Sequence, residues 1–168
     1  MPTLRQGRAP ERPSPAPGLD RLDRAILRQL QQDGRISNVD LARRVGLSPS
    51  PCLRRVKSLE ERGYISGYAA LLDPMLLGRS LRVVVMVSLT DQRQETLKAF
   101  ELAACRLEEV IRCHLIAGDA DYLLTVAVRD LDSYHRLFTE RLGELPGVVS
   151  MRSLVTMKTV KDTHQLPV

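Results

Sequence analysis

Between residues 37 and 63 the chain carries two short helical patterns around a single glycine, and no other stretch constrains the fold as much. The first pattern opens at Ser37, with Asp40 three residues on, a weaker relative of the capping box. Leu41 and Val45 face inward, and Ala42 is small enough for close helix contact. Gly46 makes the turn, Leu47 is expected between the helices, and Ser48 caps the second pattern. Pro49 fits the first helical position, and Pro51 still falls in the first turn, where a missing N–H does no harm. Leu53, Val56 and Leu59 form the expected buried edge, and Ser50, Arg54, Arg55 and Ser58 occupy the face away from it. Short helices joined by a Gly turn are the pattern of a helix-turn-helix, with an ordinary helical hairpin as the bland alternative. A preceding helix over 19–32 places Leu22, Ile26, Leu27 and Leu30 on one stripe. Asp20 and Asp23 complement its dipole in the first turn, and Asp33-Gly34 ends it.

Charge follows this division. Residues 1–63 hold 13 Lys and Arg against 7 Asp and Glu, and the remainder holds 12 against 13. The basic half favours a polyanionic partner through counterion release, and argues against a sensing module that works through protein partners alone. Residues 1–18 contain five of the ten prolines and no apolar period, so a disordered tail is expected there. No apolar run approaches the ~20 residues that span a bilayer, and the start lacks the apolar centre of a secretory signal. Cys52, Cys105 and Cys113 are an odd number without metal-ligand spacing and suit a reducing cytosol. A cytoplasmic, nucleoid-associated protein without membrane contact is expected.

From Leu81 the hydrophobic period changes to two. Leu81, Val83, Val85, Val87 and Leu89 share one face of a strand, with Val84 and Met86 on the other, so both faces should be covered, one by helices and one by a second sheet. A helix over 94–107 offers Leu97, Phe100, Leu102 and Ala104 for burial. Strands over 110–117 and 122–128 flank a Gly118-Asp119-Ala120-Asp121 turn. A helix over 131–142 carries Leu131, Tyr134, Leu137, Phe138 and Leu142, and a bend at 145–147 leads into a last strand over 148–160. The order is βαββαβ, the ferredoxin-like split unit. The fold class is therefore α+β, divided into a tail (1–18), a winged helix-turn-helix (19–72) with the wing over 64–72, and a ferredoxin-like domain (73–168).

Enzymatic chemistry fails on geometry. Cys113 and His114 are adjacent on a strand and point to opposite faces, so they form no nucleophile–base pair. Cys105, Cys113 and His114 match no zinc pattern. Neither a cofactor nor a metal is expected. Cys52 is placed beside the reading face, which leaves a redox role open.

Several blocks, in order, carry a family resemblance: Asp33-Gly34-Arg35-Ile36-Ser37-Asn38, Val45-Gly46-Leu47-Ser48-Pro49-Ser50-Pro51-Cys52, Arg62-Gly63-Tyr64-Ile65, Cys113-His114-Leu115, Gly118-Asp119-Ala120-Asp121-Tyr122 and Leu145-Pro146-Gly147-Val148. The chain resembles the leucine-responsive regulator (Lrp/AsnC) family of transcription factors, most of all its leucine-responsive members, from about residue 19 to 166. The resemblance implies double-stranded DNA as partner, dimers formed through the sheets that assemble to tetramers or octamers, and a small amino acid effector, leucine first. The DNA-binding residues expected are Ser37, Asn38, Ser48, Ser50, Pro51, Arg54, Arg55 and Ser58, with Lys57, Arg43, Arg44 and Arg62 as phosphate contacts or solvated charge. The effector residues implied are Leu115, Gly118, Asp119, Asp121, Tyr122, Leu154, Val155 and Thr156, with Asp119 or Asp121 accepting the ammonium. Ala120 leaves that site roomier than a bulky residue would.

Overall fold

The structure is a computed structural model that describes residues 18–168. The stretch read as a disordered tail, residues 1–18, lies outside them apart from Gly18. The described chain forms two compact units, one ending at Ala70 and the other running from Leu71 to Asp162. Residues Thr163–Val168, which the sequence division placed in the second domain, pack with the first unit. There Gln31 donates to the Leu166 carbonyl and accepts from its N–H, and Val168 rests against the helical core.

The first unit is three helices: α1 (Arg21–Gln32), α2 (Asn38–Val45) and α3 (Pro49–Glu61). Asp20 caps α1 by accepting from the Asp23 N–H at 2.8 Å. Ser37 caps α2 in both directions, accepting from the Asp40 N–H at 3.1 Å and donating to the Asp40 carboxylate at 2.7 Å. Gly46, at φ 72°, ends α2 in the left-handed conformation that a side chain would oppose. Ser48 stands at the head of α3 without making a capping bond. Ile26, Leu27, Leu41, Ala42, Cys52 and Leu59 fill the core.

Three expectations fail in this unit. Leu53 is 44% exposed, and Cys52 takes the inward place instead, because the buried stripe runs 52–55–56–59. Cys52 is fully buried, and burial pushes its thiol up, which removes the basis for a redox role beside the reading face. The expected wing over 64–72 contains no strand. The N-terminal unit has no strand among its described residues for this segment to pair with, and a lone extended segment gains no ladder bonds. The segment instead clasps the end of α3: Tyr64 and Ile65 donate to the Leu59 carbonyl, and the Tyr68 hydroxyl donates to Glu60.

The second unit is one four-stranded antiparallel sheet ordered β2-β3-β1-β4. Its strands are β1 (Leu81–Leu89), β2 (Val110–Leu115), β3 (Tyr122–Val128) and β4 (Val148–Val155). Two helices pack on one face: α4 (Gln94–Ala104) and α5 (Leu131–Leu137), the latter continued by a π-helical turn over Phe138–Leu142. On that face Val83, Val85, Val87, Leu124 and Val126 meet Phe100, Tyr134 and Leu142, all buried. Gly147 has φ 76°, and a Cβ there would meet the Thr96 methyl at 2.7 Å, so the bend into β4 requires glycine.

The opposite face carries Val84, Met86, Leu123 and Thr125, half-buried, with the exposed Leu154 and Arg152 on β4. The second covering sheet expected from Val84 and Met86 is absent from the chain's described residues. Leu102 and Leu131, expected inside, are 63% and 62% exposed, on the outer sides of their helices. β2 and β4 are shorter than expected, ending at Leu115 and Val155.

Candidate functional site

The face of α3 turned from its core is a stripe of Ser50, Leu53, Arg54 and Lys57, all exposed. With the uncapped Ser48 at its head, it offers hydroxyls, an apolar contact and two cations. That is a usable set for base edges and phosphates in a major groove. Arg54 has no carboxylate partner among the described residues, so its guanidinium is available. Pro51 and Ser58 flank the stripe, half-buried. Leu53 is the member that sequence reasoning missed; its exposure followed from the 50–53–54–57 spacing on the face opposite Cys52 and Leu59.

The remaining expected contacts are already engaged inside the unit. Arg55 donates to Asp20 and to Asp23 at 2.7 Å each, and its side chain is one-third exposed. Both carboxylates hold its guanidinium above its ordinary pKa, and the Asp23 N–H and Arg55 hold the Asp20 carboxyl below its own. Arg55 is thus a link between helices and does not stand on the reading face. Asn38 donates to the Pro49 carbonyl at 2.8 Å, tying α2 to the first turn of α3. Ser37 is a helix cap, Arg43 pairs with Asp40 at 3.0 Å, and Arg44 donates to Gln29. Arg62 lies 3.7 Å from Asp23 with its guanidinium over the Tyr64 ring.

At the other candidate site, the turn after β2 separates two hollows. One, of about 340 Å³, is lined by Leu97, Leu115, Ile116 and Ala120 together with Gln92 and Asp121. The other, of about 190 Å³, is bounded by Met86, Ser88, Asp119, Ala120, Ser150 and Arg152. The small, buried Ala120 stands between them. A further hollow of about 350 Å³ at the far end of the sheet, around Arg79, Arg136 and Arg141, contains none of the expected residues.

The two aspartates of the turn differ. Asp121 accepts from the Leu89 N–H at 2.7 Å and from Gln92 at 2.8 Å, so both its oxygens hold the loop between β1 and α4. It is a structural staple that also lines the first hollow. Asp119 is exposed and makes no such bond among the described residues. Tyr122 is corrected: it is 1% exposed, its ring lies 4.5 Å from that of Phe100, and its hydroxyl donates to Glu101. Burial, with Glu101 beside it, pushes its phenol well above the ordinary range. Leu115 is 59% exposed, and Gly118, at φ 150°, shapes the turn.

Leu154, Val155 and Thr156 sit at the end of β4, on the sheet edge opposite β2, with β1 and β3 between. The eight expected effector residues therefore do not converge within one chain. Gln92 and Leu97 are the lining residues missed from sequence; they lie far from the turn in sequence, and Gln92 is brought to it by its bond to Asp121.

Comparison with known proteins follows the same two units. Residues 82–166 match the model of the Lrp/AsnC ligand binding domain, and residues 19–66 match a winged helix-turn-helix DNA-binding model. The chain is 49% identical over 152 residues to the leucine-responsive regulatory protein of Escherichia coli K12, covering 90% of this chain and 93% of that protein. Among solved structures it is similar to a transcriptional regulator of Neisseria meningitidis in complex with L-methionine: TM-score 0.86, 37% identity, 89% of this chain and 97% of that one. It is also similar to the feast or famine regulatory protein of Mycobacterium tuberculosis complexed with L-methionine: TM-score 0.78, 32% identity, 89% and 99% covered.

Proposed function

Because the chain belongs to the Lrp/AsnC family of DNA-binding transcriptional regulators, we propose that it governs genes of amino-acid metabolism and takes a small apolar amino acid, leucine or methionine first, at the turn after β2. The observation that carries this reading is the hollow of about 340 Å³ that joins the apolar Leu97, Leu115, Ile116 and Ala120 to the polar Gln92 and Asp121 beside a glycine turn. A branched or thioether side chain fills such a recess, while main-chain N–H groups of the turn hold the carboxylate. The ammonium acceptor is one of the two aspartates of the turn: Asp121, which lines this hollow while holding Leu89 and Gln92, or Asp119, which bounds the neighbouring hollow across Ala120.

The site is completed between copies of the chain. Leu154, Val155 and Thr156 are too far round the sheet to reach it from the same protomer, and a neighbouring dimer brings them. The half-buried face of Val84, Met86 and Leu123 is the surface through which two copies pair, and the dimers assemble further to tetramers or octamers. Effector binding then alters assembly and DNA affinity together. Dimers place two α3 helices about 34–36 Å apart, one helical turn of DNA, so operators are imperfect inverted repeats. The protein acts in the cytoplasm, on the nucleoid. Among the described residues no helix is long and apolar enough to cross a membrane.

Calorimetric titration with an amino-acid panel, paired with sedimentation, tests the reading. Saturable binding of leucine or methionine with a change in assembly supports it. Absence of heat and of any change in sedimentation across all twenty amino acids contradicts it.

A further inference from the structure

Each helix of the N-terminal unit carries one polar residue on its inward stripe. On α1 it is Asp23, in line with Ile26, Leu27 and Leu30; on α2 it is Asn38, in line with Leu41, Ala42 and Val45; on α3 it is Arg55, between Cys52 and Leu59. A polar group at such a position is costly unless it is paired. Each makes a polar contact that crosses between helices: Arg55 donates to Asp20 and Asp23 at 2.7 Å each, and the Asn38 amide donates to the Pro49 carbonyl at 2.8 Å while its own buried oxygen has no partner among the described residues. The Asp23 side chain is only 9% exposed, with Arg55 bonded to it and Arg62 3.7 Å away.

From this arrangement we infer that Asp20, Asp23 and Arg55 are positioning residues for DNA recognition, fixing the rotation of the reading helix α3 on α1 without themselves touching DNA. Apolar contact through Cys52 and Leu59 is non-directional and resists rotation of α3 about its own axis only weakly. A guanidinium held by two carboxylates of one N-terminal turn is directional and admits a narrow range of angles. A rotation of ~15° moves a side chain ~6 Å from the axis by about 1.5 Å, enough to lose a base contact. Arg54 is the next residue along α3 from Arg55, about 100° round the helix, so fixing Arg55 inward fixes Arg54 outward.

The test uses the full chain, an operator duplex selected by the unmodified protein from a random library, and a scrambled duplex of the same length. Affinity for both is measured over a range of salt for Asp23→Asn, Arg55→Met, Arg55→Lys and Asp20→Asn. Removing the Asp23 charge makes the unit more positive, so simple electrostatics would tighten binding to any DNA. Positioning predicts the opposite for the operator: at least tenfold weaker binding for Asp23→Asn and Arg55→Met. Binding to the scrambled duplex should stay within about twofold, and the salt slope should be unchanged. Arg55→Lys should restore part of the operator affinity.

A salt slope reduced by about one in Arg55→Met would place Arg55 on a phosphate and overturn the inference. So would operator binding by Asp23→Asn at or above that of the unmodified chain, or a parallel loss on both duplexes. Should Asp23→Asn not fold, Asp20→Asn decides: it removes one exposed acceptor and is expected to weaken operator binding about threefold. No loss of discrimination in that variant refutes the inference.

Discussion

The middle of α3 and the turn after β2 are built alike and differ in what makes them legible. Each presents two like charges close in sequence, of which one is exposed and one is bound into the fold. In α3 they are Arg54, exposed, and Arg55, held by Asp20 and Asp23. In the turn they are Asp119, exposed, and Asp121, held by Leu89 and Gln92. On the helix, periodicity decides which charge is free, and periodicity is a local property of the sequence. In the turn the decision is made by a strand and loop about thirty residues upstream. A charge of either kind becomes a candidate for ligand or DNA only after its structural partners have been identified.

The largest expected effect comes from breaking the staple of the turn. Asp121→Ala leaves the Leu89 N–H and the Gln92 amide without their acceptor, and should cost about 3 kcal/mol of stability in urea denaturation. Asp119→Ala should cost less than about 0.5 kcal/mol. Equal losses from the two variants would erase the distinction drawn between them. Next in size, Arg54→Ala should cost about 1–3 kcal/mol of operator binding, measured by fluorescence anisotropy, while its denaturation midpoint stays unchanged.

Much of this was readable from the residues. The helix-turn-helix, the βαββαβ order and the strand and helix cores all follow from periods of 3.6 and 2 written over whole elements. The errors fell where two registers fit equally well or where a distant partner decides. Leu53 and Cys52 compete for the inward place on α3, and the pattern 53–56–59 is as regular as 52–56–59. The inward course of Arg55 is foreshadowed by its spacing from Cys52 and Leu59, but an arginine on an apolar stripe makes sense only once Asp23 is seen on the facing stripe. The β-prone residues at 64–68 suggest a wing, but strand structure needs a partner, and the described residues of this unit supply none. For the effector site, the turn was visible and its lining by Gln92 and Leu97 was not.

Caps give a smaller and sharper contrast between the two serines expected at DNA. Ser37→Ala should lower stability by about 1 kcal/mol, because Ser37 caps α2. Ser48→Ala should lower it by no more than a few tenths, because Ser48 makes no cap bond, and should weaken operator binding more than stability. Thermal denaturation with parallel binding isotherms separates the two effects.

The smallest effect is a pH dependence. Burial, with Cys105 and Glu101 adding to it, pushes the Cys113 thiol from an ordinary value of 9.0 up to about 11. The folded state thus holds this proton more tightly than the unfolded state does. Its stabilising contribution is complete below pH 9 and is lost as pH rises through about 11. Cys113→Ser should flatten the first part of the alkaline decline, between pH 9 and 10, above which the Tyr68 phenol, raised from 10.0 to about 12, adds its own contribution.

The central claim, that α3 decides where the protein binds and the turn after β2 decides when, is tested most directly by operator affinity with and without leucine or methionine. The comparison is made in the unmodified chain and in Ala120→Phe, which fills the space between the two hollows. The account predicts a shift of about 5–150-fold on adding the amino acid to the unmodified chain, and little or no shift in the variant, whose operator affinity without effector is retained. An operator affinity that no amino acid alters, or one altered equally in both chains, would contradict it.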